Sequence, residues 1–266
     1  MIEISLDETR KIQLEILDRV VAFCDAHHIN YFLCGGTLLG AIRHQGYIPW
    51  DDDIDLMMPR PDYAKFIEQF KIDGLKLYTF QAIKNYFNPF VKISDGNTVL
   101  VENGSYHYEI GINIDIFPID GLPDDKQEAI KHVKKVSIYK NALIFKRINQ
   151  REGRKAYKEA LAKLIRFLLT PISSHYLVSK ITELAQKHPF HSSGHAGIVV
   201  WGYGVKEICS GDVFEKNTRV LFEQKLYNAP LKYHEYLSTV YGNYMELPPI
   251  EKRGTHHEFK FFRKES

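Results

Sequence analysis

The sequence predicts a mixed α+β (α/β) fold, with a mixed sheet flanked by helices and a basic helical region following it. Three observations carry this reading. Residues 31–34 are apolar and stop at Gly35-Gly36, after which helix-compatible residues resume, giving a strand–turn–helix unit. Residues 53–58 alternate Asp with apolar side chains and then become wholly apolar, as a strand with one functional face would. Residues 126–187 hold long stretches at helical spacing and are rich in Lys and Arg.

Each element has a local cause. Ser5 and Glu8 form a capping box, and Ile12, Ile16, Val20 and Phe23 recur at helical spacing, so a helix is expected over 6–28. A short buried strand follows at 31–34, a helix opening at 37–43 and a loop at 44–50. Pro59 ends the Asp-bearing strand, and Pro61 starts a helix to about residue 70. Strands are expected over 75–82, 90–93, 98–102 and 111–117. Asp124 caps a helix over 126–149, a second spans 155–169 up to Pro171, and a third spans 175–187. Strand character returns at 198–203 and 219–228, then a short helix at 233–241 and a polar, basic tail after Pro249. No Pro/Gly/Ser-rich linker divides the chain. A single catalytic unit over residues 1–266 is therefore expected, with a core over 1–122, a basic helical region over 123–195 and a mixed α/β portion over 196–266.

The chain has 266 residues, 44% of them hydrophobic and 26% charged, which suffices for a sizeable core and excludes disorder. The net charge of +2 hides a polarised chain. Residues 131–180 hold 13 Lys and Arg against Glu152 and Glu159, a net of +11, so the other 216 residues carry −9. Cys24, Cys34 and Cys209 are widely spaced and form no C-x-x-C pair, which argues against a disulfide framework or structural zinc. The first residues lack the basic start and apolar run of a signal peptide, and 167–179 is too short to span a bilayer. A cytoplasmic protein is expected. No helix-turn-helix, RNP or KH signature is present, so nucleic acid is not an expected partner.

The chemistry concentrates in Trp50-Asp51-Asp52-Asp53-Ile54-Asp55. Strand alternation puts Asp53 and Asp55 on one face and Ile54 on the other. Adjacent carboxylates repel unless a cation lies between them, and hard oxygen ligands suit Mg²⁺ bound to substrate phosphates. Asp115, in Gly111-Ile-Asn-Ile-Asp-Ile-Phe117, is a further carboxylate in an apolar strand, where burial unpaired is expensive. If the two strands are adjacent, three carboxylates converge. Gly35, Gly36 and Thr37 form a turn at a helix start, where glycine lets backbone approach a phosphate and the helix N-terminus favours its charge. The histidines at 188, 191 and 195 lie in a loop among Pro, Ser and Gly, and His256-His257 has no cysteine beside it. Neither set is assigned a metal.

Strand–Gly-Gly–helix, then Asp-x-Asp, then a later strand Asp is an order that resembles the nucleotidyltransferase fold. The fuller string Leu33-Cys-Gly-Gly-Thr-Leu-Leu-Gly-Ala-Ile-Arg-His-Gln-Gly-Tyr-Ile-Pro-Trp-Asp-Asp-Asp-Ile-Asp-Leu56 closely resembles the LicD family. Asp115-Ile-Phe-Pro-Ile-Asp120 and Tyr241-Gly-Asn-Tyr-Met-Glu-Leu-Pro-Pro249 resemble that family's later motifs. Sixteen residues separate Gly36 from Asp53, somewhat more than in typical nucleotidyltransferases, and the extra Pro-Trp-Asp-Asp loop is a LicD-type feature.

The resemblance implies a nucleotidyltransferase-like core and a phosphocholine transferase. CDP-choline would be the donor, CMP the leaving group, and the acceptor a lipid-linked cell-surface glycan such as a teichoic acid or lipopolysaccharide precursor. Another CDP-alcohol (ribitol or glycerol), or nucleotidyl transfer with release of pyrophosphate, is the alternative. Asp53, Asp55 and Asp115 would hold Mg²⁺, and Asp115 would take the acceptor's proton. Gly35, Gly36 and Thr37 would approach the donor phosphates, with Arg43 and Lys92 as phosphate clamps. Asp51 and Asp52 would either shape the loop or contact the metal or substrate directly, and Asp52 is counted with the substrate-binding residues. Choline, a quaternary ammonium, calls for aromatic faces. Trp50 adjoins the acids and is the first choice, with Tyr47, Tyr86, Phe87, Tyr106 and Tyr108 near the motifs. In the basic middle, charged residues line one side of helices bearing Ile138, Leu143, Leu161, Leu164, Ile165 and Leu168. That basic face is either solvated or set against an anionic membrane or glycan.

Overall fold

The computed structural model describes residues 2–101, 109–147, 156–254 and 260–264. Its elements begin with β1 (Ile2–Glu3), α1 (Leu6–Ala26), β2 (Phe32–Leu33), α2 (Gly35–His44), β3 (Asp55–Pro59) and α3 (Arg60–Gln69). The strands β4 (Leu75–Tyr78), β5 (Val91–Asp95), β6 (Thr98–Val101) and β7 (Asn113–Leu122) follow. Then come the helices α4 (Lys126–Arg147), α5 (Ala156–Leu169) and α6 (Ser174–Ala185). The last part comprises β8 (His195–Gly197), β9 (Cys209–Ser210), β10 (Asn217–Phe222), β11 (Lys225–Pro230), α7 (Tyr233–Tyr241) and β12 (Lys260–Arg263).

The main sheet runs β2-β3-β7-β5-β4. β3 and β7 are parallel and the other neighbours antiparallel, so the sheet is mixed, as expected. Beyond β3, the far end of β7 pairs with β8, and β8 with β9. β1, β12 and β6 form a small second sheet, and β10 with β11 a hairpin. Leu56, Met57 and Met58 on β3 are all buried, as are Ile114, Ile116 and Ile119 on β7, because both strands are covered on two faces. Ile16, Leu17 and Val20 of α1 join this core. The cap expected at Ser5 is made: its hydroxyl accepts from the Glu8 amide at 3.2 Å.

The basic region attaches through its own apolar cluster. Val133, Val136 and Leu143 of α4 meet Leu177, Val178 and Ile181 of α6, and Leu122 at the end of β7 joins them. α5 behaves differently. Ala162 is buried, but Leu161, Leu164, Phe167 and Leu168 are exposed, as is Ile138 on α4.

Three expected elements change. The strand expected at 198–203 is absent: regular pairing ends at Gly197, and the chain turns through Gly202 and Gly204, with φ of 68° and 67°. Its apolar run, Val199 and Val200, is buried in the helical cluster instead. The stretch 219–228 is two strands, broken at Glu223-Gln224, both with positive φ. That turn lacks the usual Asn-Gly because tertiary contacts hold it: the Glu223 amide donates to the Gln45 carbonyl at 3.0 Å, and the Glu223 carboxylate accepts from the Tyr47 amide at 3.1 Å. Third, the strand expected from Asp53 starts at Asp55, which leaves Asp53 in the preceding loop. The ends of two expected elements, at residue 102 and at 148–149, lie outside the described residues, as does the start of a third at 155.

Candidate active site

The parallel pairing of β3 with β7 sets Asp55 beside Asp115, and the antiparallel pairing of β5 with β7 sets Lys92 opposite Asp115. The Lys92 ammonium bonds the Asp115 carboxylate and, at 3.0 Å, the Asn113 side-chain oxygen. The Thr37 hydroxyl accepts from the Asp55 amide at 2.8 Å, so this buried side chain joins α2 to the start of β3. The glycines are needed by the chain's own acids. Gly35 has φ 54°, and a Cβ there would lie 3.0 Å from Asp55 Oδ2; at Gly36 it would lie 2.5 Å from Asp51 Oδ2.

The acidic loop is pinned from behind. Arg10 on α1 donates to the carbonyls of Pro49 and Asp51 at 3.1 and 2.5 Å, and Gln13 donates to the Asp52 carbonyl at 2.8 Å. Carboxylate oxygens of Asp51, Asp52 and Asp53 lie within 4.8 Å of one another, a set that could hold a metal ion. Burial, and then the neighbouring Asp53, push Asp51 up to about 7. Burial also holds Asp55 well above the usual carboxylate range, reinforced by Asp53, Asp115 and Asp51 and opposed by Lys92. Hard oxygens crowded against one another in this way fit a divalent cation, which would relieve their repulsion.

Two cavities flank these acids and share Gly36, Asp53, Asp55, Tyr203 and Tyr241. The larger, about 580 Å³, is walled by Arg43, Trp50 and the 243–249 segment. The smaller, about 320 Å³, reaches Asp115 and is closed by Trp201, Glu207 and Tyr236. Arg43 donates to the carbonyls of Tyr244 and Glu246 at 2.9 and 3.2 Å, so it also holds the far wall of the larger cavity. Asp52, Lys92 and Thr37 stand beside the acids without lining either cavity.

Among the expected aromatics that the structure describes, Trp50 lines one of these two cavities and the others line neither, and Arg253 sits 5.4 Å over the Trp50 ring. Tyr47 packs on Phe222 and bonds Gln13, Tyr86 is buried in a separate cluster with Tyr78, and Phe87 packs on the helical cluster. Tyr106 and Tyr108 lie outside the described residues. Asp51, expected chiefly to shape the loop, lines the site, as do four residues that the sequence did not assign: Trp201, Tyr203, Glu207 and Tyr241. Tyr241 opens a quoted motif, and that was its available signal. Trp201 and Tyr203 were hidden by the strand-like run at 198–203. Burial pushes Glu207 up to about 7. Farther along β7, Asp120 is fully buried and receives two bonds from Arg60, at 2.6 and 2.7 Å.

Residues 28–152 match a family described as LicD/FKTN/FKRP, nucleotidyltransferase domain. The chain is 32% identical to the lipopolysaccharide cholinephosphotransferase LicD of Haemophilus influenzae, over 97% of each chain. It belongs to the LicD family. A shorter match of 37 residues, 54% identical, joins this LicD-family chain to the human ribitol 5-phosphate transferase FKRP, covering 14% of this chain and 8% of that one. The similarity to a cholinephosphotransferase along the full length places the chain among the transferases of the family. Among the described residues, no helix is long and apolar enough to cross a membrane.

Proposed function

We propose that the protein transfers phosphocholine from CDP-choline to a hydroxyl of a lipid-linked cell-surface glycan and releases CMP. The observation that carries this reading is the wall of acids between two cavities, formed by the Asp55–Asp115 register and the adjoining Asp51–Asp53 loop. Asp53, Asp55 and Asp115 would hold Mg²⁺, with Asp51 joining them; the ion would neutralise charge on the diphosphate. The acceptor oxygen forms a bond to the choline-bearing phosphorus. The bond from that phosphorus to the bridging oxygen breaks, and CMP leaves with both electrons. Asp115 takes the acceptor's proton, and the Lys92 ammonium fixes its carboxylate. The larger cavity, which holds Arg43, would take the anionic nucleotide side of the donor.

A turnover screen with Mg²⁺ and a glycan acceptor tests the reading. CMP release from CDP-choline, lost in Asp53→Ala, supports it. Preference for CDP-ribitol would favour the second reading, which the 37-residue match to the ribitol 5-phosphate transferase supports. Release of pyrophosphate would point to nucleotidyl transfer.

The same reading places the protein in the cytoplasm, at the inner face of a membrane. The exposed Leu161, Leu164, Phe167 and Leu168 of α5 lie beside Lys163 and Arg166, the pairing of apolar and basic groups that an anionic lipid surface binds. The domain reading is one catalytic unit: core 1–122, basic helices 123–195, and a 196–266 portion that supplies cavity walls.

A further inference from the structure

We propose that the smaller cavity seats the quaternary ammonium of the donor, against the Glu207 carboxylate and the rings of Trp201, Tyr203 and Tyr241. This rests on the phosphocholine reading above. Glu207 lines the cavity while being 3% exposed. Its Oε1 accepts from the Tyr203 amide at 3.2 Å, whereas its Oε2 accepts no hydrogen bond from the described residues. A buried carboxylate oxygen without a donor retains its charge at high cost, and a cation is the ligand that offsets it. Lys140, whose charge partly offsets that of Glu207, spends its ammonium on the Gly202 carbonyl at 3.1 Å and that of Trp201 at 3.5 Å.

The walls suit a cation without N–H groups. Tyr203 and Tyr241 meet edge to face, 5.4 Å between centroids, and Trp201 packs on Phe90 at 5.6 Å. A trimethylammonium group donates no N–H hydrogen bond and binds through charge and ring faces. A polyol such as ribitol carries no charge and binds through hydrogen bonds, so a buried carboxylate charge and ring faces favour it less than they favour a cation. Position agrees with chemistry. The cavity opens on Asp53, Asp55 and Asp115, so a group seated there lies next to the acids that would hold the diphosphate. The two arginines lie on the other side: Arg43 lines the larger cavity, and Arg253 covers Trp50 there. Among the described residues, the smaller cavity has carboxylates and no basic side chain in its lining, so the cationic end of the donor is better matched there than beside Arg43. Gly202 makes room, since a Cβ there would lie 2.6 Å from Glu207 Oε1.

The test is calorimetric titration of the Mg²⁺-loaded protein with CDP-choline and CDP-ribitol at pH 8, where Glu207 is ionised. Glu207→Gln keeps the acceptor that faces the Tyr203 amide. It should weaken CDP-choline by about tenfold and CDP-ribitol by less than about threefold. The exposed Tyr203→Leu should show the same selectivity and carries the test if Glu207→Gln does not fold. Equal effects on both donors, or none, overturn the assignment while leaving the phosphocholine reading intact. Wild-type protein that binds CDP-ribitol but not CDP-choline, or binds neither, overturns both.

Discussion

Glu207→Gln should change the pH dependence of stability in a direction fixed by burial. The ordinary value of this carboxyl is 4.5, and burial raises it to about 7 in the folded protein. Between these values the folded state holds the proton and the unfolded state has lost it. Raising the pH through this window therefore costs stability, and the cost is complete above the folded value. The gap of about 2.5, at about 1.36 kcal/mol for each, is worth about 3 kcal/mol, of which roughly 2–3 kcal/mol accrues between pH 5 and pH 8. Glutamine cannot ionise. Its amide would place a donor where Oε2 now lies unpaired, at a cost of about 1–3 kcal/mol that does not vary with pH. The diagnostic is thus a difference of differences. Urea unfolding of both proteins at pH 5 and pH 8 should show the variant gaining roughly 2–3 kcal/mol relative to wild type at the higher pH. An offset equal at the two pH values would refute the burial argument.

Four further outcomes follow from the same geometry. Mg²⁺ should raise the melting temperature of wild type, more at pH 8 than at pH 5 because Asp51 titrates near 7, and Asp53→Ala should lose most of that gain. Gly36→Ala should cut turnover by about tenfold or more, because the new methyl displaces the Asp51 carboxylate; unchanged turnover would show that this carboxylate is dispensable. Asp120→Ala should cost about 3 kcal/mol in urea unfolding, the low end for breaking a buried pair, since the part-buried Arg60 loses the carboxylate it bonds twice. Phe167→Ser combined with Leu164→Ser should abolish flotation with anionic vesicles while leaving turnover of a soluble acceptor unchanged; flotation equal to wild type would remove α5 as the contact.

The parts of the fold and site legible in the sequence were those set by local pattern. Alternation gave the strand that carries Asp55, the isolated Asp115 marked its neighbour, and the Ser5 cap marked α1. The register that brings Asp55 to Asp115 could only be supposed, because pairing of distant strands leaves no local trace. Alternation points to Asp53 rather than Asp51, since it says nothing about a loop that Arg10 and Gln13 fold back onto the acids. The run 198–203 carries strand-like side chains, but Gly202 and Gly204 turn it away, and its valines serve the helical cluster. Local propensity cannot tell one buried destination from another. α5 has the opposite history. Its apolar stripe was visible, and only the assembled structure shows that it faces outward. The role of Glu207 left no motif at all.

The two groups of cavity-lining residues are far apart in the chain. Asp51, Asp53, Asp55 and Asp115 all fall within residues 28–152, the segment that matches the family domain, whereas Trp201, Tyr203, Glu207 and Tyr241 all lie beyond it. A graft is therefore feasible in principle. Exchanging residues 198–249 between relatives, with the acid-bearing segment left in place, would transplant these walls, Glu207 included, without touching the four aspartates. Loop 201–207, which is clamped to α4 through Lys140, would have to travel with its lysine.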